Sequence, residues 1–278
     1  MKVVKDEKVL RAIAGQYDWR IRDVMKEAWK KVKGVKGRYW GAFGLFIAVS
    51  FGISFGFGIV EGIVRVMAAI SYNGEITQEA LMHLPVGPMI ILSSLNIIFK
   101  IILYAITLPL LGGIIFIGIR HIVDKPVKAT MVFKFFKFKY MLRFLVMFLI
   151  IFLLFLFLLF IPIFIHTIMA FQGISKISFA VLYVFIICAF IYFVVSFVLT
   201  VPLIVDRDCG AWFALITSLR AINHHWFKVF GLLFLCWLIS IMSILLLGIG
   251  FIWVYPFLKN VLGIQYRETF GVVGLASE

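Results

Sequence analysis

Few side chains in this sequence are of types that could do chemistry, and each has a plain structural reading beside it. Asp206 and Asp208 flank Arg207. Such a trio could hold a metal or grip a polar headgroup. The expectation is an elbow instead, with Pro202 ending a span and Asp208 capping the next helix. His224 and His225 are adjacent, so a helix points them about 100° apart and they make poor joint ligands. No Cys or carboxylate stands near them at zinc spacing. His121 and Asp124 precede Pro126 in an expected turn, His166 sits at an expected span end, and Glu61 and Arg65 are four apart and can pair on one helix face. P-loop, GxSxG and HExxH patterns do not occur. The expectation is a protein that is not an enzyme, with no catalytic residue, metal or cofactor.

One polar set remains. Ser93, Ser94, Asn96, Thr107, Ser196, Thr200, Ser240 and Ser243 interrupt long apolar runs. Of these, Ser93, Asn96, Thr107, Ser196, Thr200 and Ser240 could line a small polar cavity. Hydroxyls in such runs more often join helices, at about 0.6 kcal/mol each. No carboxylate falls at the centre of an expected span, which argues against an ion-coupled transporter, where a buried charge is kept because it has a task.

The elements that carry these residues follow from composition. Of 278 residues, 64% are apolar and 14% charged, and 31 are Phe. A soluble domain carries about 25% charged residues, and a single core stops growing near ~250–300 residues. That much apolar surface belongs in lipid, so the fold expected is all-α: a polytopic integral membrane bundle of about six spans with amphipathic interfacial helices. With about 20 apolar residues per span, the spans fall at 39–60, 97–119, 142–165, 178–204 and 229–247, with a short sixth piece at 251–264. Lys100 divides the long run 86–119 and would snorkel to the surface, leaving 87–96 as an interfacial or re-entrant segment. Gly248, Gly250 and Pro256 mark a second elbow. Gly52 and Gly56 stand at GxxxG spacing, a packing signal. The domain plan is a basic segment 1–38, a membrane domain 39–268 and a tail 269–278.

The charge orients the bundle. Residues 1–38 hold 12 basic and 5 acidic residues, and 120–143 hold 7 basic residues and one acid. Residues 66–86 hold Glu75 and Glu79 and no Lys or Arg. Excess positive charge stays on the cytoplasmic side, so the N-terminus, the basic loops and the C-terminus are expected there, in a multi-pass cytoplasmic (inner) membrane protein. The first apolar run begins near residue 39, too far in for a cleaved signal, and should act as an uncleaved signal anchor. Cys188, Cys209 and Cys236 read as free thiols. The net charge of +14 is distributed between apolar runs, so nucleic acid is not the expected partner.

Three cytoplasmic segments share a layout of basic amphipathic stretch, aromatics and span. Around Ile21–Val35, apolar residues recur at helical spacing while Arg22, Lys26, Lys30 and Lys33 occupy another face. The run MVFKFFKFKY interleaves Phe with Lys134, Lys137 and Lys139. Trp212, Leu215, Leu219, Ile222 and Trp226 form a third stripe. Such elbows can lie at the headgroup boundary and meet anionic lipid, at about 1 kcal/mol per basic residue.

The stretch VPLIVDRDCGAWFALITSLRAINHHWFKVFGLLFLCWLI (201–239), followed by GIGFIWVYPFLKNVLGIQYRE (248–268), resembles a group of bacterial inner-membrane proteins that includes YciC-like proteins and the membrane domain of some glycerophosphodiester phosphodiesterases. LPLLGGIIFIGIRHIVDKPVKATMVFKFF (108–136) fits the same plan, so the resemblance covers roughly 100–268. It implies a cytoplasmic-membrane location and no established activity. The leading expectation is a structural or accessory factor engaging membrane lipid, expected to be anionic, or an envelope protein, with a second copy of the chain as another candidate partner. The alternatives are a passive or gated transporter using the hydroxyls, and a lipid-modifying enzyme built on Asp206 and Asp208.

Overall fold

The computed structural model describes residues 6–74, 84–171, 176–245 and 248–272. Among these, every regular element is helical: α1 (Glu7–Ile13), α2 (Ile21–Lys30), α3 (Lys36–Asn73), α4 (Val86–Ile122), a 3-10 turn (Ala129–Phe133), α5 (Phe138–Phe171), α6 (Lys176–Ser196), α7 (Thr200–Arg207), α8 (Ala211–Asn223), α9 (Trp226–Leu245) and α10 (Phe251–Phe270). Five helical stretches are long and apolar enough to cross a bilayer: Lys36–Ser71, Val86–Ile122, Phe138–Ile165, Tyr183–Arg207 and Trp226–Leu245. The all-α polytopic bundle follows.

The helices exceed the bilayer. At ~1.5 Å per residue the 38 residues of α3 reach about 57 Å, against a hydrocarbon core of ~30 Å. Near the start of α3, Tyr39 and Ala42 pack on Leu110 and Ile114 of α4, and near its end Ala69 packs on Leu84 and Leu92. At the end of the bundle that carries α1 and α2, the largest core joins Val9 and Ala12 of α1, Val24 and Ala28 of α2, Phe116 and Ile119 of α4, Phe144 of α5, Leu203 of α7, Ile222 of α8 and Ile264 of α10. Away from that end, long Phe, Ile and Leu side chains point outward, as at Phe51, Ile97, Phe157 and Phe185. In the most apolar stretch of α3 no residue is buried, whereas 44% of that of α4 is, so α4 is the central strut and α3 a peripheral one. Gly52 and Gly56 have open space where a Cβ would stand; the GxxxG pair faces away from the rest of the chain.

Four sequence expectations need correction. Residues 87–96 are not a separate segment, because α4 runs unbroken through them and Lys100 simply projects from its exposed side. The span 178–204 is not one helix: α6 stops at Ser196 and α7 begins at Thr200. Pro202 therefore lies in the first turn of α7, where its missing N–H has no intrahelical partner to lose, and it ends no span. Asp208 does not cap α8, whose N-cap is Gly210; it closes α7 in a left-handed conformation at φ 52°. Pro256 sits buried inside α10, while Gly248 (φ +73°) makes the turn and Gly250 is the N-cap.

The last piece is a 20-residue helix, α10, but it is not among the five apolar enough to cross, since it carries Lys259, Asn260, Gln265, Arg267 and Glu268. After Trp253 most of it is covered by protein, with residues 254–257, 260–261 and 263–266 buried. Asn260 accepts from the Tyr39 hydroxyl (2.8 Å) and donates to the Ala28 carbonyl (3.1 Å). Gly263 and Gly118 let α10 and α4 touch backbone to backbone, with 3.1 Å between the Gly118 carbonyl oxygen and a Cβ placed on Gly263.

Candidate lipid-facing site

The basic end is built by α2, the 3-10 turn and α7. In α2, Val24 and Ala28 are buried against the core, which turns Arg22, Lys26 and Lys30 outward, and Lys33 is exposed in the turn that follows. Lys31 points the other way, donating to the Ile122 carbonyl (3.0 Å) and to Asp124 (2.7 Å). The Phe-Lys run divides likewise. Val132 and Phe135 are fully buried, while Phe133, Phe136 and Phe138 are exposed, Phe138 by 80%. Lys137 is exposed between them. Arg22, Lys26, Lys30, Lys33 and Lys137 enter no ion pair among the described residues. Exposed phenyl rings beside lysines are what a headgroup boundary accepts, rings toward the acyl chains and ammonium groups toward phosphate.

Two of the expected lipid-facing lysines have partners inside the protein. Lys134 lies 4.0 Å over the Phe116 ring. Lys139 donates to Asp208 (2.7 Å), which also accepts from Arg143 (2.5 Å). Burial raises the Asp208 carboxyl, and hydrogen bonds from Lys139, Tyr140 and Arg143 outweigh it, leaving the group below its ordinary range.

Asp206 and Arg207 form the densest polar contact in the bundle. Asp206 is fully buried and accepts from the Tyr266 hydroxyl at 2.8 Å. The Arg207 guanidinium pairs with Asp6, donates to the carbonyls of Phe270 (2.7 Å) and Gly271 (3.1 Å), and lies 3.5 Å from Asp206. One arginine thus fastens the start of the chain, α7 and the end of α10. The sequence marks the Asp-Arg-Asp trio and the Tyr-Arg near the end, but nothing in it joins them.

The histidines also fasten the fold. His224 and His225 bond to the carbonyls of Ile13 (2.9 Å) and Gly15 (3.2 Å), and His121 to that of Lys31 (2.8 Å). Gly15 is left-handed at φ +72°, and a Cβ there would meet the His224 ring at 2.7 Å. Glu61 and Arg65 pair at 2.9 Å within α3. The side chain of His166 lies outside the described residues. Among the described residues no group of three or more His, Cys, Asp or Glu could hold a metal ion.

The hydroxyls expected to line a cavity turn inward on their own helices. Ser93, Asn96, Thr107, Ser196 and Ser240 each donate to the carbonyl four residues earlier. Thr200 is buried with its hydroxyl unpaired. Asp18, Asp23, Glu27 and Glu268 line a pocket of about 330 Å³ with Trp19 and Arg20. Lys228 holds Asp18 below its usual range, and Arg267 does the same for Glu27 against the opposing effect of burial.

Fold and site together define a polytopic all-α membrane protein with a basic, aromatic collar at one end. No protein-family model, no curated protein and no solved structure matches this chain.

Proposed function

We propose that this protein is a non-enzymatic membrane factor, structural or accessory, that holds anionic lipid against its basic end, with that end at the cytoplasmic leaflet of an inner membrane. The observation that carries the reading is the outward set Arg22, Lys26, Lys30, Lys33 and Lys137. These cations are exposed, without carboxylate partners among the described residues, and set beside exposed Phe136, Phe138 and Trp29. Lysines close to the anionic surface each contribute about 1 kcal/mol to lipid attraction, and the attraction fades with ionic strength. The ionisable groups buried near by, Asp206 and Arg207, are already bonded to each other and to Tyr266 and Asp6.

Replacing Arg22, Lys26, Lys30, Lys33 and Lys137 together by Gln is expected to strip most of the anionic phospholipid that co-purifies with the protein, while helicity and monodispersity persist. Lipid extraction and phosphorus analysis of wild type and variant checks this. Equal anionic lipid content in both would remove the reading.

A further inference from the structure

Between α9 and α10 a groove of about 480 Å³ opens on the bundle surface, within the range of about 300–1,000 Å³ typical of small-molecule sites. Its walls come from Leu238 and Met242 of α9 and from Gly250 and Trp253 at the start of α10, and Trp29 of α2 closes it. The walls are nearly all apolar, yet Trp29, Met242 and Trp253 remain substantially exposed at 54%, 60% and 39%. The consecutive helices α9 and α10 and the distant α2 therefore make one concave apolar surface and leave it open. Gly250 sets its depth, because a Cβ there would already stand 3.0 Å from that of Ser243.

The mouth is cationic. The Lys36 ammonium lies 4.4 Å over the Trp253 ring and enters no ion pair among the described residues. A ligand that fits needs an apolar chain for the groove and a negative group for Lys36. Trp rings at such a junction suit a boundary that is apolar on one side and wet on the other.

We infer that this groove is a specific site for one acyl chain of an anionic phospholipid, with the lipid phosphate on Lys36. The inference rests on the proposed lipid-holding role and narrows it to one place. A second copy of the chain is the competing occupant, but it would have to bring a negative group to Lys36, and the exposed apolar helix faces of this chain, such as that of α3 around Phe51 and Phe55, carry none.

The test uses the full chain in phosphatidylcholine vesicles, with a minor fraction of phosphatidylglycerol or phosphatidylcholine carrying brominated acyl chains. Bromine quenches Trp emission at short range. Brominated phosphatidylglycerol should quench more than brominated phosphatidylcholine. The excess should vanish in W29F/W253F and should need about five-fold more anionic lipid in Lys36→Gln. Equal quenching by the two lipids, or an excess that needs no more anionic lipid in Lys36→Gln than in wild type, overturns the site. So does quenching that appears only when the protein is diluted in lipid, which would place a second copy in the groove. The lipid content of the purified wild type separates the two readings. If it holds no anionic lipid, the lipid-holding role fails. If it holds such lipid but the excess persists in W29F/W253F, only the groove assignment fails.

Discussion

Arg207→Met is expected to destabilise the bundle by about 3–5 kcal/mol, the usual cost of removing one partner from a buried ion pair. The substitution keeps much of the side-chain volume, so the loss is electrostatic. Asp206, fully buried, keeps only the Tyr266 hydroxyl of its two named partners, and the Phe270 and Gly271 carbonyls lose their donor. Asp6→Asn should cost less, because Arg207 retains both carbonyls and Asp206. Asp206→Asn combined with Arg207→Met should recover part of the loss, since no uncompensated charge is then left inside. Unfolding of the purified protein in mixed micelles with increasing sodium dodecyl sulfate, followed by far-UV circular dichroism, reads the order Arg207→Met, double variant, Asp6→Asn. An Arg207→Met midpoint equal to wild type would show that the contact does not hold the ends of the chain.

Gly113→Ala should be the most damaging single-methyl change in α4. A Cβ at Gly113 would stand 2.6 Å from both the Cα and the carbonyl carbon of Val132. Backbone cannot swing aside as a side-chain tip can, so the 3-10 turn must lift off α4. Overpacking of this kind costs about 1–3 kcal/mol, and here it also unseats Val132 and Phe135, both fully buried. Gly112→Ala provides the comparison. Its Cβ would meet the end of the Phe144 ring at 2.5 Å, which can tilt, so the loss should be smaller. In the same unfolding experiment Gly113→Ala should shift the midpoint further than Gly112→Ala. The reverse order would mean that the turn is not seated on α4 as described.

Much of the architecture is legible in the residues. The apolar runs announce lipid-facing helices because only a helix satisfies its backbone within one segment there. The basic face of α2 reads directly from helical spacing, and the structure turns Arg22, Lys26 and Lys30 outward as that spacing requires. Lys100 misleads, because hydropathy registers a charge while helical hydrogen bonds do not, so α4 continues past it. Pro256 and Lys259 make 251–264 look like a short return through lipid. Protein covers most of that stretch after Trp253 instead and supplies partners for the polar groups of α10, Tyr39 for Asn260 and Glu27 for Arg267. Arg207 could not have been read at all: its partners lie 201 residues before it and 63 after it, beyond the reach of local spacing. The hydroxyls misdirect for a related reason. A Ser or Thr in a helix bonds readily to the carbonyl one turn back, and from sequence that looks the same as a hydroxyl lining a cavity.

The central claim is that α2 and the Phe-Lys segment present their free cations to one leaflet. The direct measurement is sidedness in sealed membranes. With Cys188, Cys209 and Cys236 changed to Ser, Lys26→Cys and Lys137→Cys are each exposed to a membrane-impermeant maleimide, in intact cells and in inverted vesicles. The account predicts that both positions react in inverted vesicles and neither in intact cells. Reaction of the two positions from opposite sides of the bilayer would contradict it.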